Sequence, residues 1–108
     1  DGLGLDRQKL FDIASTASGQ CWSLTSYCPV PGPVPASPAN RDYAPGFTAR
    51  MMLKDLNLAA GAAAEAGVAS PLGRQAAAIY DAFCGAGGEG TDFSGIIRHL
   101  RAGPSGSL

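Results

Sequence analysis

A long run with helical periodicity, which begins near Pro45 and continues into an alanine-rich stretch, constrains this chain more than any other feature. At about 100° per residue, small and apolar side chains fall on one side of the run and predict a buried stripe. We expect the helix to start at Pro45-Gly46, to run to about Ala66 and to stop at Gly67, because glycine accepts the left-handed conformation that ends a helix. The predicted stripe consists of Ala49, Met52, Leu53, Leu56, Ala60 and Ala63.

The opposite side of the same helix is unusual, because a lone lysine stands among apolar neighbours. Phe47, Met51 and Leu58 share this side with Lys54, and Asp55 lies about 100° round from it. Such a lysine either lays its stem on apolar surface with its ammonium in water, or it has an anionic partner. The residues leave both readings open, and the second implies a helix that faces a ligand or another domain.

The N-terminal part predicts a capped helix followed by a proline-rich connector. Asp6 is placed to cap this helix, which we expect to end at Ser18-Gly19. A short helical turn is expected within residues 20–27. The segment from Pro29 to Arg41 contains five of the eight prolines, so it is expected to be an ordered or semi-ordered connector that does not pair in a sheet. By composition alone, a disordered linker is the alternative.

The C-terminal part contains two further helical patterns. Ser70-Pro71 supplies a cap and a first-turn proline for the first of them, and the glycines from Gly85 to Gly88 end it. Thr91 is placed to cap the last helix. The apolar positions of the first are Leu72, Ala76, Ile79, Tyr80 and Phe83, and those of the last are Phe93, Ile96, Ile97 and Leu100.

These patterns predict an all-α fold with about four helices, because no alternating run of β-branched residues occurs. A length of 108 residues allows one domain at most. We assign residues 1–101 to a helical domain and residues 102–108 to a flexible tail. The opening Asp1-Gly-Leu-Gly-Leu5 is typical of the end of a helix, so we interpret the chain as a segment of a longer protein whose helical domain is incomplete at its N-terminus.

Composition excludes several kinds of partner. The net charge is -1, and eight basic and nine acidic residues are scattered singly, so nucleic acid is not an expected partner. No run of about 18 apolar residues predicts a membrane span, and no signal peptide pattern begins the chain. Cys21, Cys28 and Cys84 form no C-x-x-C pair, and we expect them to be reduced, buried thiols.

Few residues carry the signals of catalysis. His99 is the only histidine and stands one position from the apolar stripe of the last helix, where a solvated or core-edge histidine is typical. Glu65, Asp81, Glu89 and Asp92 are isolated in sequence, so no paired carboxylates and no metal site are predicted. The sequence also lacks a nucleophile motif and a phosphate-binding loop. Taken alone, the chain does not resemble a complete enzyme.

Five short motifs nevertheless carry a family resemblance. They are Ser18-Gly-Gln-Cys-Trp-Ser23, Tyr27-Cys-Pro-Val-Pro-Gly32, Gly46-Phe47, Lys54-Asp-Leu-Asn-Leu-Ala59 and Asp92-Phe-Ser94. In order and spacing, between Leu5 and Arg101, they resemble the C-terminal part of the 3-hydroxyisobutyrate dehydrogenases. The lysine motif alone is similar to the wider β-hydroxyacid dehydrogenase family, and the tryptophan and Pro-Val-Pro-Gly motifs narrow the resemblance.

The resemblance implies a two-domain enzyme. An N-terminal Rossmann domain would bind NAD, and an all-helical domain of the 6-phosphogluconate dehydrogenase C-terminal-like type would close the substrate cleft and build a homo-oligomer. The implied reaction oxidises 3-hydroxyisobutyrate to methylmalonate semialdehyde in valine breakdown, in the bacterial cytoplasm or the mitochondrial matrix. The family's proton-handling lysine and its dinucleotide motif correspond to positions before Asp1, so no catalytic residue is expected in this chain.

The resemblance also assigns site residues. Lys54 resembles the family lysine that reaches the bound cofactor, while Phe47 and Asp55 resemble residues that line the substrate end of the cleft. The segment by itself is expected to be inert, to bind no NAD and to self-associate through apolar surface that a missing helix would cover. The alternatives are a sister enzyme, such as tartronate semialdehyde reductase, and a non-catalytic helical interaction module.

Overall fold

The computed structural model describes residues 2–103, which fold into helices joined by turns. The α-helices of this part are α1 Arg7–Ala14, α2 Trp22–Ser26, α3 Ala49–Glu65, α4 Pro71–Phe83 and α5 Ile96–Ala102. Shorter helical turns span Pro38–Arg41, Cys84–Gly88 and Phe93–Gly95. No strand occurs in the part of the chain that the structure describes, so the all-α prediction is confirmed.

The helices belong to two compact units that divide between Ala44 and Pro45. Helices α1 and α2 lie in the first unit, and α3, α4 and α5 lie in the second. Among residues 2–103, no helix has the length and hydropathy that crossing a bilayer requires. Of the predicted tail, Ala102 still belongs to α5, and residues 104–108 lie outside the described part.

In the first unit, α1 begins where the sequence predicts but ends earlier. The Asp6 carboxylate caps it by accepting a hydrogen bond from the Lys9 backbone N–H at 3.0 Å. The helix ends at Ala14 instead of reaching Ser18-Gly19. The hydroxyls of the next two residues both donate to the Asp12 carbonyl, and such side-chain bonds compete with the backbone bonds of a continuing helix.

Helix α2 confirms the short helical turn predicted for residues 20–27. The thiols differ from the prediction, since Cys28 is buried and Cys84 half-buried, whereas Cys21 is exposed. Cys21 precedes α2 in an extended conformation at the surface, so the expectation of a buried thiol was wrong there.

The proline-rich connector is ordered by side chains that bind its backbone. The buried Ser37 hydroxyl donates to the Cys28 carbonyl at 2.6 Å, and the Tyr43 hydroxyl donates to the Pro29 carbonyl at 2.7 Å. The Asn40 side chain makes further bonds to the connector backbone. These bonds replace the sheet or helix bonds that proline prevents, and they confirm the ordered connector.

In the second unit, α3 packs chiefly against α4. The predicted stripe of α3 is the packed face: Ala49 is fully buried, and the other members are half-buried. The helix ends before Gly67, which has a φ of 68°, as predicted. Its start was predicted too early, because Thr48 is extended and its hydroxyl accepts a hydrogen bond from the Met51 N–H, so Phe47 precedes the helix.

Helix α4 begins at Pro71 as predicted, although the Ser70 side chain makes no capping bond. After Phe83 the chain continues into the turn Cys84–Gly88, in which a π-type hydrogen bond pattern replaces the α-helical one. A Cβ on Gly88 would lie only 2.1 Å from the Phe83 ring. Glycine at this position therefore lets the chain turn directly over the ring.

Asp92 caps the turn that leads into the last helix, whereas the sequence predicts Thr91 as the cap of that helix, and α5 itself has no side-chain cap. The Asp92 side chain accepts from the Ser94 N–H and starts the turn Phe93–Gly95, from which α5 continues. This turn rotates by about 120° per residue instead of about 100°, which shifts the phase of the following side chains. As a result His99 is buried against the Phe83 ring and Leu100 is exposed, the reverse of the predicted pattern for these two residues.

Candidate functional site

One face of α3 forms an open groove of about 450 Å³. Its lining residues are spaced at intervals of three and four along the helix, so the sequence itself brings them together. Two leucines supply apolar surface and two cations supply positive charge, a combination that suits an amphipathic ligand with anionic or hydroxyl groups. The lining residues are Arg50, Leu53, Lys54, Asn57 and Leu58.

The two cations of the groove differ in their surroundings. The Arg50 guanidinium pairs with the Glu89 carboxylate at 2.8 Å, and both side chains are exposed, so this pair adds little to stability. The Lys54 side chain is also exposed, and no hydrogen bond or ion pair within residues 2–103 engages its ammonium. Lys54 is therefore the groove cation whose charge no carboxylate of the described part neutralises.

Phe47 is held by residues from the far end of the chain. Its N–H donates to the Asp92 carboxylate at 3.1 Å, and its carbonyl accepts from the Phe93 N–H at 2.7 Å. The Phe47 and Phe93 rings meet edge to face, with their centroids 5.9 Å apart and their planes at 77°. The backbone and the ring of Phe47 are thus fixed by the same two residues.

Asp92 is the most connected side chain of this region, and it is fully buried. One carboxylate oxygen accepts from the N–H groups of Gly46 and Phe47, and the other accepts from the N–H and the hydroxyl of Ser94. A buried carboxylate is stable when such donors replace its water. Asp92 therefore ties the entry of α3 to the entry of α5.

Tyr80 closes the same cluster from α4. Its hydroxyl donates to the Phe93 carbonyl at 3.0 Å. Burial is the main cause that raises the pKa of Tyr80 to about 12, and the Asp92 carboxylate and the Cys84 thiol add to it. The neutral phenol is therefore the form that the folded cluster favours.

Tyr80 makes the stability of the chain sensitive to alkaline pH. The phenol has a pKa of 10.0 in the unfolded chain and about 12 in the folded one, so its contribution is fully present below pH 10 and is lost as the pH rises toward 12. We expect the free energy of unfolding to fall over this range in the wild type and to fall less in Tyr80→Phe. Urea unfolding followed by circular dichroism at several pH values tests this. Parallel curves for wild type and Tyr80→Phe would contradict the prediction.

The structure places the three sequence-predicted site residues in different surroundings. Lys54 lines the groove, Phe47 lies half-buried before α3, and Asp55 is exposed on α3 outside the groove lining. The helical wheel grouped Phe47 with Lys54 on one helical face, which is wrong because α3 begins only at Ala49.

Asp92 was missed as a site-building residue, and its local signal was a serine two positions later, as in an Asx cap. Residues 2–103 contain no cluster of side chains able to hold a metal ion.

Comparisons with known proteins define the class of the chain. One family profile, described as NAD-binding of NADP-dependent 3-hydroxyisobutyrate dehydrogenase, matches residues 1–100. A solved structure of Mycobacterium tuberculosis 3-hydroxyisobutyrate dehydrogenase with L-serine superposes with a TM-score of 0.89 and 51% identity, over 94% of this chain and 34% of that one. In both fold and sequence, the chain is therefore related to a class of oxidoreductases.

Individual relatives make the assignment specific. A probable 3-hydroxyisobutyrate dehydrogenase of Mycobacterium tuberculosis is 52% identical over 93% of this chain and 34% of that protein. A probable mitochondrial 3-hydroxyisobutyrate dehydrogenase of Arabidopsis thaliana is 46% identical over 94% of this chain and 29% of that protein. The chain belongs to the 3-hydroxyisobutyrate dehydrogenase family. It spans about a third of the length of these relatives.

Proposed function

We propose that this chain is the substrate-cleft and oligomerisation part of an NAD-dependent 3-hydroxyisobutyrate dehydrogenase that acts in valine degradation. The observation that carries the proposal is the Lys54 ammonium, which lies exposed in a groove of α3 without a carboxylate partner in the described residues. A cation so placed fits the ribose or phosphate oxygens of a dinucleotide, which accept hydrogen bonds from ammonium groups. Because the chain belongs to the 3-hydroxyisobutyrate dehydrogenase family, we propose the reaction of that family for the whole enzyme.

In the proposed reaction, the hydroxyl of 3-hydroxyisobutyrate loses its proton and the carbon that bears it gives a hydride to NAD, forming methylmalonate semialdehyde and NADH. The nicotinamide supplies the hydride acceptor when NAD is bound. The residues of this chain bind and orient: Lys54 holds the cofactor, and Phe47 and Asp55 line the substrate end of the cleft. We assign the proton acceptor to the part of the enzyme that matches the portion of the relatives that this chain does not cover.

Exposed apolar side chains in the second unit support the oligomerisation role. They include Leu72 at 81% exposure and Leu58 at 62%, together with Val68, Met51 and Leu100. Apolar surface of this kind commonly packs against another subunit or domain. The Arabidopsis thaliana and Drosophila melanogaster relatives are named as mitochondrial, and we propose the mitochondrial matrix or, in a bacterium, the cytoplasm for this chain.

A hybrid enzyme tests the proposal. In it, this chain replaces the matching third of the Mycobacterium tuberculosis relative, and the unmodified relative is assayed in parallel. We expect NAD reduction with 3-hydroxyisobutyrate, slower oxidation of other 3-hydroxy acids, and an oligomer by sedimentation. Preference for tartronate semialdehyde with NADH would indicate the sister enzyme. A folded hybrid that reduces neither NAD nor NADP would favour a non-catalytic helical module and overturn the proposal.

A further inference from the structure

We propose that Asp92 and Phe93 form a clasp that positions Phe47 for substrate binding, so that Phe93 sets the affinity for the hydroxy acid without touching it. The inference rests on the proposed function, because Phe47 must line the substrate end of the cleft for the clasp to act on substrate. It adds two positioning residues that lie 45 and 46 positions after Phe47 in the chain.

The clasp holds Phe47 at three points. The Asp92 carboxylate accepts from the Phe47 N–H at 3.1 Å, and the Phe93 N–H donates to the Phe47 carbonyl at 2.7 Å. The two rings complete the contact edge to face, with centroids 5.9 Å apart. Two hydrogen bonds fix where the backbone of Phe47 lies, and the ring contact selects how its side chain is oriented.

The clasp is itself anchored, so that it acts as a rigid template. Asp92 is fully buried, and Ser94 satisfies its second oxygen. The Tyr80 hydroxyl holds the Phe93 carbonyl at 3.0 Å, and the Ala49 N–H donates to the Thr91 carbonyl at 2.9 Å. Because α4 and α3 both fix the segment that carries the clasp, loss of the Phe93 ring should free the Phe47 ring before it moves the backbone.

The orientation of the Phe47 ring, as distinct from the position of its backbone, matters for binding. An aromatic side chain that is already oriented costs less side-chain entropy when it closes on a ligand than one that must be immobilised. The small hydroxy acid offers a short apolar carbon chain beside its polar groups, and an oriented ring suits that part. Loosening Phe47 should therefore raise the KM for the hydroxy acid and leave the KM for the cofactor, which Lys54 governs, unchanged.

A double-mutant cycle in the hybrid enzyme tests the clasp. We expect Phe47→Leu to raise the KM for 3-hydroxyisobutyrate about tenfold and Phe93→Leu to raise it about fivefold. The double variant should bind no worse than Phe47→Leu alone, because Phe93 acts only through Phe47. Titration of 3-hydroxyisobutyrate into the enzyme–NADH complex, followed by NADH fluorescence, should give the same ratios without turnover.

Phe11→Leu is the matched control, since it makes the same substitution at a half-buried ring of α1, in the first unit and outside the clasp and its anchors. It should lower the melting temperature and leave both KM values unchanged. The clasp is overturned if Phe93→Leu binds the hydroxy acid like the wild type, or if its effect multiplies that of Phe47→Leu. If Phe47→Leu has no effect while Phe93→Leu does, the clasp again fails. If neither substitution changes hydroxy acid binding, the clasp fails and the cleft role of Phe47 in the proposed function fails with it, while NAD reduction by the hybrid would still stand.

Discussion

Replacing Lys54 with alanine in the hybrid enzyme is expected to weaken cofactor binding by roughly 10-fold to 100-fold. A hydrogen bond to a charged group contributes about 1.5 to 3 kcal/mol, and each 1.4 kcal/mol corresponds to about a tenfold change in affinity. The free energy of unfolding should change by less than about 0.5 kcal/mol, because the side chain is exposed and alanine favours helix. Fluorescence titration with NADH measures the dissociation constant directly.

Two further variants make the Lys54 test specific. Lys9 is the other lysine of the chain and lies exposed on α1, so Lys9→Ala makes the same change of charge in the first unit. It should bind NADH like the wild type. Lys54→Arg keeps the charge but changes the geometry of the donors, and we expect an intermediate affinity. Equal NADH affinity in Lys54→Ala and wild type would reject the cofactor role of this lysine.

The helical framework could be predicted because its determinants are local. The stripe of α3, the Asp6 cap of α1 and the Gly67 stop of α3 each depend on residues within one or two turns. The groove around Lys54 is only partly of this kind: its lining residues all lie on α3, but Leu53, which the helical wheel placed in the buried stripe, lines it, and Met51 does not. A pattern within one helix therefore already contained the cationic half of the candidate site.

The clasp could not be predicted, because its partners are far apart in sequence. The Gly46 and Phe47 N–H groups find Asp92 across about 45 residues, and no periodic pattern links such distant positions. An isolated carboxylate in sequence therefore became the centre of a buried network. The helical wheel also treated Phe47 as part of α3, although Thr48 caps the helix and Phe47 precedes it.

The burial of His99 and the exposure of Leu100 show a third kind of error, in which the chain is correctly called helical but its phase is wrong. The turn Phe93–Gly95 precedes α5 and changes the rotation per residue. In the described part, the His99 Nε2 is buried without a hydrogen bond partner. Burying this unpaired nitrogen costs free energy, and the packing of the imidazole on the Phe83 ring offsets that cost. Hydropathy alone would not select a histidine for this buried position.

Replacing Asp92 with alanine should have the largest effect on stability of any single substitution considered for this chain. Three backbone N–H groups and one hydroxyl lose their acceptor, and the site is fully buried, so water does not readily replace it. An unsatisfied buried donor costs about 1 to 3 kcal/mol, and partial relaxation makes about 3 to 4 kcal/mol a reasonable sum here. Most small domains have only about 5 to 15 kcal/mol in total. Urea unfolding of the chain, followed by helical circular dichroism, should therefore show a strongly lowered midpoint.

The conservative variant separates the hydrogen bonds of Asp92 from its charge. Asp92→Asn keeps one oxygen for the Gly46 and Phe47 N–H groups but turns an amide donor toward the Ser94 N–H, so an intermediate loss of about 2 kcal/mol is expected. Asp81→Ala removes an exposed carboxylate from α4 and should change stability by less than about 0.5 kcal/mol. If Asp92→Ala unfolded within about 1 kcal/mol of the wild type, the network would not hold the entries of α3 and α5 together, and the positioning of Phe47 would need another cause.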